Sequence, residues 1–234
     1  MLGLATGITN TSYQWQPNMV DADLKLWLRN GVGVNVAQWD DSSGNNNHAL
    51  QGSSPNQATV SGGGLRLDGS NDHYDFTSSI TISAQEAFMV FAVVYPENDS
   101  DDTIDKKTII SDEGAADFIE FFTNKKIRLR FNNGTAISPT FGDVQFPSNE
   151  KYLVGIKRDG GAEGNVHIYK NGDLLEPSSQ LADTSQTKFE NISIRNNDRF
   201  FHGWIYEMLV YDTTDLSASN ITKISNYLKN KHGL

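Results

Sequence analysis

The sequence has no cysteine among its 234 residues. A disulfide framework, a cysteine-ligated zinc site and thiol catalysis are therefore excluded. No apolar run approaches the roughly 18 residues of a membrane span, and the N-terminus lacks the positive segment of a secretory signal. The 19 basic residues are outnumbered by 29 acidic ones, which gives a net charge of −10. We expect no membrane insertion and no nucleic-acid partner, because an acidic chain repels phosphate backbones.

Charge is also missing from residues 1–20, which include apolar side chains such as Leu2, Tyr13 and Trp15. A disordered tail is usually charged and poor in aromatic residues. We therefore predict that residues 1–20 form an uncharged N-terminal arm or an extra strand. Two hypotheses stay open: the arm anchors the domain to a larger assembly, or it adds a strand to its own domain. The remaining residues, 21–234, suit one all-β domain, a class that often reaches this length as a single unit.

Strand patterns dominate this domain. Apolar and polar side chains alternate over residues 24–29 and 126–132, as in strands with one exposed face. Residues 88–95 are continuously apolar, which indicates a strand covered on both faces. The dipeptide Asn171-Gly172 is a strong signal for a tight hairpin.

One helix is predicted at the C-terminus. Ser217 suits the N-cap position, Ile221, Ile224 and Leu228 form an apolar stripe, and Gly233 suits the C-terminal end. Strands at short spacing followed by a terminal helix predict an all-β fold, a jelly-roll β-sandwich of two antiparallel sheets with a short C-terminal helix.

Four segments carry a family resemblance. They are residues 26–28 (LWL), the tryptophan-led turn 39–49 (WDDSSGNNNHA), residues 65–72 (LRLDGSND), and the closing strand and helix within residues 203–234. Together they resemble the laminin-G-like branch of the concanavalin A-like lectin/glucanase superfamily, in the form found in bacteriophage and bacterial proteins. The likeness covers about residues 22–234 and implies a laminin-G-like β-sandwich over residues 21–234. Two positions depart from the pattern: Arg29 stands where an acidic residue often follows the opening strand, and Asn46 stands where glycine is frequent.

The resemblance implies architecture better than activity, since its members include lectins, adhesive modules, enzymes and virion proteins. We expect a non-catalytic binding or adhesion module, a bacteriophage virion structural protein with carbohydrate binding. The alternatives are a glycan-active enzyme and a secreted lectin domain on the same fold. Expected partners are a glycan or other virion proteins, self-association stays open, and the expected location is the virion, with an extracellular location as the alternative.

Glu113, Asp117 and Glu120 are the nearest candidates for the carboxylates that glycoside hydrolysis requires. An acid and a nucleophile must flank one bond, roughly 5–5.5 Å apart for retention. The spacing of three between Asp117 and Glu120 places them on opposite faces of a strand. We therefore expect no hydrolase activity.

Calcium is the one metal that the sequence leaves open. Asp99, Asp101, Asp102 and Asp105 supply oxygen ligands of the kind that calcium prefers. They lack the glycine and the distal glutamate of an EF-hand loop, so a solvated acidic loop is the favoured interpretation. No cofactor is expected to be required, and the metal stays unknown.

A basic face is the candidate binding surface of this acidic chain. Polar and basic side chains alternate along three predicted strands, and if those faces join they suit an anionic glycan or an acidic partner. The alternative is an ordinary solvated sheet face. The predicted ligand-binding residues are Arg128, Arg130, Asn132, His167, Tyr169 and Arg195.

Trp27 and Trp39 offer two further aromatic rings. Either ring could stack on a sugar. Both lie beside strand signatures that recur for packing reasons, so we predict that they belong to the core.

Overall fold

The structure is a computed structural model of the chain. It describes residues 15–20, 23–97, 107–114, 116–122, 126–132, 134, 136–137, 146–177, 179–196, 198–212 and 216–234. Residues 1–14 of the predicted arm and the acidic run at residues 99–105 lie outside the described residues.

The described residues form seventeen strands and one α-helix. In chain order the strands are β1 (Asp23–Leu28), β2 (Val34–Asn35), β3 (Gln38–Trp39), β4 (Ala49–Leu50), β5 (Thr59–Ser61), β6 (Gly64–Asp68), β7 (Tyr74–Ile82), β8 (Phe88–Pro96), β9 (Lys107–Ser111), β10 (Phe118–Phe122), β11 (Lys126–Arg130), β12 (Tyr152–Arg158), β13 (Asn165–Lys170), β14 (Asp173–Leu175), β15 (Leu181–Ala182), β16 (Thr187–Ile192) and β17 (His202–Asp212). The helix, α1, spans Ala218–His232.

The strands make two antiparallel sheets. Sheet A has nine strands in the order β14-β13-β12-β8-β17-β6-β5, with β1 beside β17 and β15 beside β13. Sheet B has eight strands in the order β11-β10-β9-β16-β7-β4-β3-β2. Every pairing between neighbouring strands is antiparallel.

Apolar side chains from both sheets form one interior core, and β8 shows how the sequence produces it. Alternate residues of this strand, from Phe88 to Val94, belong to the core between the sheets. The residues between them, Met89, Phe91 and Val93, belong to a second cluster on the outer face of sheet A. A strand with both faces covered must be apolar throughout, which is the pattern of residues 88–95.

The tryptophan-led turn is organised by the Asp41 carboxylate. Its Oδ1 accepts hydrogen bonds from the backbone N–H groups of Trp27 and Ser43, both at 2.8 Å, and its Oδ2 accepts one from Asn47 N–H at 3.0 Å. Asn46 has φ 60°, which asparagine tolerates in place of glycine. The sequence signature at residues 39–49 is therefore explained by local structure.

The helix α1 lies on the outer face of sheet A. The Ser217 hydroxyl accepts a hydrogen bond from Asn220 N–H at 3.2 Å, and Gly233 ends the helix with φ 68°. Ile221, Ile224 and Leu228 are buried in the cluster that covers this sheet. The predicted N-cap, apolar stripe and terminal glycine are confirmed.

Residues 15–20 also lie on this face. The Trp15 ring meets the Tyr227 ring edge to face, with centroids 6.0 Å apart. The Tyr211 hydroxyl donates to the Pro17 carbonyl at 3.1 Å, and Val20 is buried. This stretch of the predicted arm therefore packs against its own domain.

The prediction of an all-β jelly-roll sandwich with two antiparallel sheets and a short C-terminal helix is confirmed. The hairpin at Asn171-Gly172 is present, with both residues at positive φ, between β13 and β14. Within the part of the chain that is described, α1 is too polar and too short to cross a membrane.

Candidate functional site

The structure divides the predicted basic face between the two sheets. Arg128 lies on β11 of sheet B, whose intervening residues Ile127 and Leu129 belong to the interior core, so Arg128 projects from the outer face. His167 and Tyr169 lie on β13 of sheet A. The condition that these faces join is not met for β13, because β11 and β13 belong to different sheets.

The sheet A residues have local partners. His167 Nε2 lies 2.8 Å from Asp159 Oδ2. Tyr169 packs against the apolar cluster beneath α1. Burial raises the pKa of the Tyr169 hydroxyl, with the Asp159 charge adding to it. Both side chains belong to β13 of sheet A, whereas the arginines belong to strands and loops of sheet B.

The other four predicted residues lie on sheet B or in its loops. Arg128 and Arg130 are neighbours on the outer face of β11, and Asn132 occupies the turn that follows with φ 47°. Asn132 N–H donates to Asp117 Oδ1 at 2.7 Å. Arg195 follows β16, is only 7% exposed, and shares a carboxylate partner with Arg128.

That partner is Glu120 on β10, which is fully buried although it faces outward from sheet B. Arg128 Nε lies 2.7 Å from Glu120 Oε1, Arg195 Nη1 lies 3.1 Å from both carboxylate oxygens, and Arg199 Nη1 lies 3.4 Å from Oε1. We call these four residues the arginine cluster. A carboxylate removed from water requires such partners, since the charge otherwise lacks compensation.

Aromatic rings hold the arginine cluster in place. The Arg195 guanidinium lies 3.6 Å from the centre of the Phe118 ring, and that of Arg128 lies 3.8 Å from the centre of the Phe122 ring. A planar guanidinium stacks well on an aromatic face while its N–H groups bond within its own plane. The two arginines are therefore fixed by stacking and by charge at once.

Arg195 also lines an open groove of about 440 Å³ across β7, β16 and the end of β9, which we call the sheet B groove. Arg195 Nε is buried and has no hydrogen-bond partner among the described residues. The groove presents hydroxyl, amide and carboxylate groups beside it. Lining residues include Asp75, Thr77, Ser79, Glu113, Glu190 and Asn191.

Glu190 is the most constrained carboxylate of the sheet B groove. Its Oε2 accepts from Glu113 N–H at 3.0 Å, and its Oε1 accepts from the Ser79 hydroxyl at 2.7 Å and lies 2.9 Å from Lys188 Nζ. Burial raises the pKa of Glu190, but these hydrogen bonds outweigh it and the pKa lies below its usual value. Glu190 is therefore an ionised acceptor at neutral pH.

The three carboxylates considered for hydrolysis do not share a cleft. Glu113 lines the sheet B groove, but Asp117 and Glu120 do not. Glu120 is held inside the arginine cluster. Burial raises the pKa of Asp117 to about 6, and the nearby carboxylates of Asp112 and Asp183 add to the increase. Hydrogen bonds from the backbone of Asn132 and Lys188 lower the pKa but do not outweigh these effects.

A second groove, of about 790 Å³, lies beside α1 on the other face of the molecule. We call it the α1 groove. Sequence analysis missed it, because only the apolar stripe of the helix was considered. The sequence signal for this groove is a stripe of polar and basic residues, spaced three and four apart, along α1. The residues that line the α1 groove are Trp15, Arg29, Lys223, Asn226, Tyr227, Asn230 and Lys231.

The last turn of α1 is tied to sheet A by Glu207, a second fully buried glutamate. Glu207 Oε1 accepts from Trp27 Nε1–H at 2.8 Å, and Oε2 lies 2.8 Å from Lys231 Nζ and 2.7 Å from His232 Nε2. Burial raises the pKa of Glu207, but the hydrogen bonds from His232, Lys231 and Trp27 outweigh it and hold the pKa below its usual value.

Trp27 and Trp39 are both buried, at 1% and 0% exposure. Trp27 lies beneath α1, whereas Trp39 lies in the interior core and its indole N–H donates to the Arg29 carbonyl at 3.1 Å. The prediction that both tryptophans belong to the core is confirmed.

Metal binding has no site in the described part of the chain. No group of three or more His, Asp or Glu side chains there is placed to hold an ion. The acidic run at residues 99–105 lies outside the described residues, and calcium binding stays a prediction.

Comparison with known proteins finds relatives in structure alone. No protein-family profile and no curated protein matches the sequence. The Trypanosoma rangeli sialidase in complex with sialic acid superposes with a TM-score of 0.56 at 15% identity, over 89% of this chain and 33% of the sialidase chain. The ligand-binding domain of botulinum neurotoxin serotype D, in complex with N-acetylneuraminic acid, superposes with a TM-score of 0.62 at 18% identity, over 88% of this chain and 51% of that chain.

These likenesses show the fold alone. The chain spans about a third of the sialidase and about half of the toxin domain. Both proteins contain a β-sandwich that matches this one. Within that broad class, the assignment to the laminin-G-like branch depends on the sequence resemblance alone.

Proposed function

We propose that this chain is a non-catalytic carbohydrate-binding module and that its glycan lies in the sheet B groove. One observation carries the proposal. Arg195, held by Glu120 and Phe118, lines a polar groove that also presents hydroxyl, amide and carboxylate groups.

The chemistry of the sheet B groove suits a sugar. Each sugar hydroxyl is both a donor and an acceptor, so a binding site needs both kinds of group close together. Arg195 and Asn191 supply donors, while Asp75, Glu113 and Glu190 supply acceptors. A volume of about 440 Å³ falls within the usual range of small-molecule sites.

The comparisons support a glycan as the ligand class. The two structural relatives described above were solved with sialic acid and N-acetylneuraminic acid bound. We propose that the β-sandwich that this chain shares with them is also the scaffold for glycan binding here. Of the predicted residues, Arg195 is assigned to the glycan. We assign Arg128 to holding Arg195 in position through the Glu120 carboxylate that they share. We assign Arg130 to the surface beside the groove.

We propose a non-catalytic role because Asp117, the described carboxyl whose pKa rises to about 6, does not line the groove. Glycoside hydrolysis requires one protonated carboxyl and one ionised carboxylate on either side of the bond. The hydrogen bonds to Glu190 lower its pKa and oppose its use as the acid. Asp117 has the raised pKa of an acid, but it is buried and does not line the groove.

The expected place of the module in a bacteriophage virion, among other virion proteins, rests on the sequence resemblance. The extracellular location, the secreted lectin and the glycan-active enzyme are its alternatives. Residues 15–20 pack on their own domain without forming a strand, Pro17–Met19 being a 3₁₀-helical turn, and both hypotheses for the arm stay predictions.

A glycan array followed by titration tests the proposal. The wild-type chain should bind at least one glycan, and the variant with both Asp75→Ala and Glu113→Ala should bind it roughly tenfold more weakly, because two ionised acceptors are lost. Both side chains are exposed, so the fold should be unaffected. Glu163→Ala, an exposed carboxylate outside the groove, is the matched control and should bind as the wild type does. Absence of any bound glycan, or equal binding by the double variant, would contradict the proposal.

A further inference from the structure

The α1 groove has the opposite charge from the chain that contains it. Arg29, Lys223 and Lys231 line it, and none of the described Asp and Glu residues does. The chain as a whole has a net charge of −10. The Glu207 carboxylate that accompanies Lys231 is fully buried beneath the groove, so its charge is not presented to a ligand. A groove of this kind concentrates positive potential where an anion could enter.

Lys223 is an exposed cation, as is Lys231, but it differs from the other two cations in its contacts. It lies on the solvent side of α1 and has no ion-pair or hydrogen-bond partner among the described residues. Arg29 instead lies 4.9 Å above the Trp27 ring, and Lys231 is held by Glu207. One cation is therefore available to move onto a ligand, while the other two are fixed by the protein.

The aromatic side chains give the groove a second property. Trp15 and Tyr227 meet edge to face at 6.0 Å, and both are only partly buried. Their rings supply flat apolar surface, and the amides of Asn226 and Asn230 lie beside them with donors and acceptors. A bare inorganic anion would use the cations but neither the rings nor the amides.

We infer that the α1 groove is a second ligand site and that it binds a sugar ring bearing a carboxylate or sulfate group. The apolar C–H face of the ring packs on Trp15 and Tyr227, the acidic group meets Lys223 and Arg29, and the hydroxyls reach Asn226 and Asn230. This site lies on the opposite side of the sandwich from the sheet B groove. It uses different residues, so it stands independently of the proposed function.

The test uses two probes that differ in one group: methyl β-glucuronide, which carries a carboxylate, and methyl β-glucoside, which does not. Binding is followed by the NMR resonances of the indole N–H groups, of which the chain has four. Trp15→Phe identifies the resonance of Trp15. The glucuronide should shift this resonance saturably, and the glucoside at the same concentration should not.

Charge reversal provides the matched variants. Lys223→Glu should weaken glucuronide binding about fivefold or more, because an attractive charge becomes a repulsive one. Lys126→Glu makes the same change of charge on sheet B and should leave binding unchanged. Sodium sulfate at matched ionic strength controls for simple anion binding and should not reproduce the saturable shift.

Any of three results in the Trp15 titration would overturn the inference. One is the absence of a saturable shift at Trp15, a second is an equal shift with the glucoside, and a third is an equal shift with sulfate alone. The double variant Asp75→Ala and Glu113→Ala separates the two sites. If that variant abolishes glucuronide binding while Lys223→Glu does not, the ligand lies in the sheet B groove, and this inference fails while the proposed function stands.

Discussion

The outer faces of the two sheets differ in what covers them. Sheet A is covered by α1 and residues 15–20, and sheet B presents an open polar groove. Yet each face contains one fully buried glutamate, Glu207 on sheet A and Glu120 on sheet B. The difference lies in the partners of the two carboxylates.

Glu120 lies against three arginines, whereas Glu207 lies against a lysine, a histidine ring and an indole N–H. An arginine side chain remains charged at every accessible pH. The arginine cluster therefore holds Arg195 in a fixed position at the sheet B groove. The contacts of Glu207 attach the helix that forms one wall of the α1 groove.

The largest effect is expected from Glu120→Ala. This change leaves the guanidinium groups of Arg128, Arg195 and Arg199 close together without their shared carboxylate. We expect the free energy of unfolding to fall by about 3–5 kcal/mol, as for other broken buried ion pairs. Urea unfolding measures it, with the exposed Glu163→Ala as control. A loss below about 1 kcal/mol would show that the arginine cluster does not depend on this charge.

Glu207→Gln should have a smaller effect. The amide oxygen can still accept from the Trp27 indole, but Lys231 and His232 lose a charged acceptor, which costs about 2 kcal/mol. Because the pKa of Glu207 is lowered in the fold, its contribution is present above its ordinary value of 4.5 and is lost as pH falls through the lowered pKa. The difference in stability between wild type and Glu207→Gln should therefore shrink at low pH, and a difference that grew on acidification would contradict this account.

Asp117→Asn should show the opposite pH dependence. The pKa of Asp117 rises from 3.8 to about 6 in the fold, so its contribution is fully present below 3.8 and is lost as pH rises through about 6. The variant, neutral at every pH, should gain stability over the wild type above pH 6, by about 3 kcal/mol at most. Thermal unfolding at pH 4 and pH 8 measures the difference. A gain that is equal at both pH values would remove Asp117 as its cause.

Ser217→Ala should have the smallest effect of the four. It removes the hydroxyl that accepts from Asn220 N–H at the start of α1, which costs about 1 kcal/mol. The loss should appear in the stability of the helix and not in glycan binding at the sheet B groove. Hydrogen exchange of the α1 amides measures it, and unchanged exchange would show that packing alone fixes the helix start.

Local features of the fold were predictable from the sequence. The Asn171-Gly172 hairpin, the Ser217 N-cap and the doubly covered strand at residues 88–95 each depend on residues close together in the chain. The outward direction of Arg128 and Arg130 also follows from simple alternation along β11.

The assembly of the candidate sites depends on contacts between distant residues. Nothing in the alternation of His167 and Tyr169 shows that β13 joins a different sheet from β11. The sequence does not indicate that Glu120 is buried, because Arg195 and Arg199 approach it from the distant loop after β16. The arm hypothesis for residues 1–14 lies outside the described residues and stays a prediction.

The most direct test of the central claim is a calorimetric titration of the best array glycan into three proteins: the wild type, the double variant Asp75→Ala and Glu113→Ala, and Glu163→Ala. The proposed function predicts that the double variant binds roughly tenfold more weakly and that the control equals the wild type. Equal affinity for all three proteins would contradict the claim that the sheet B groove holds the glycan.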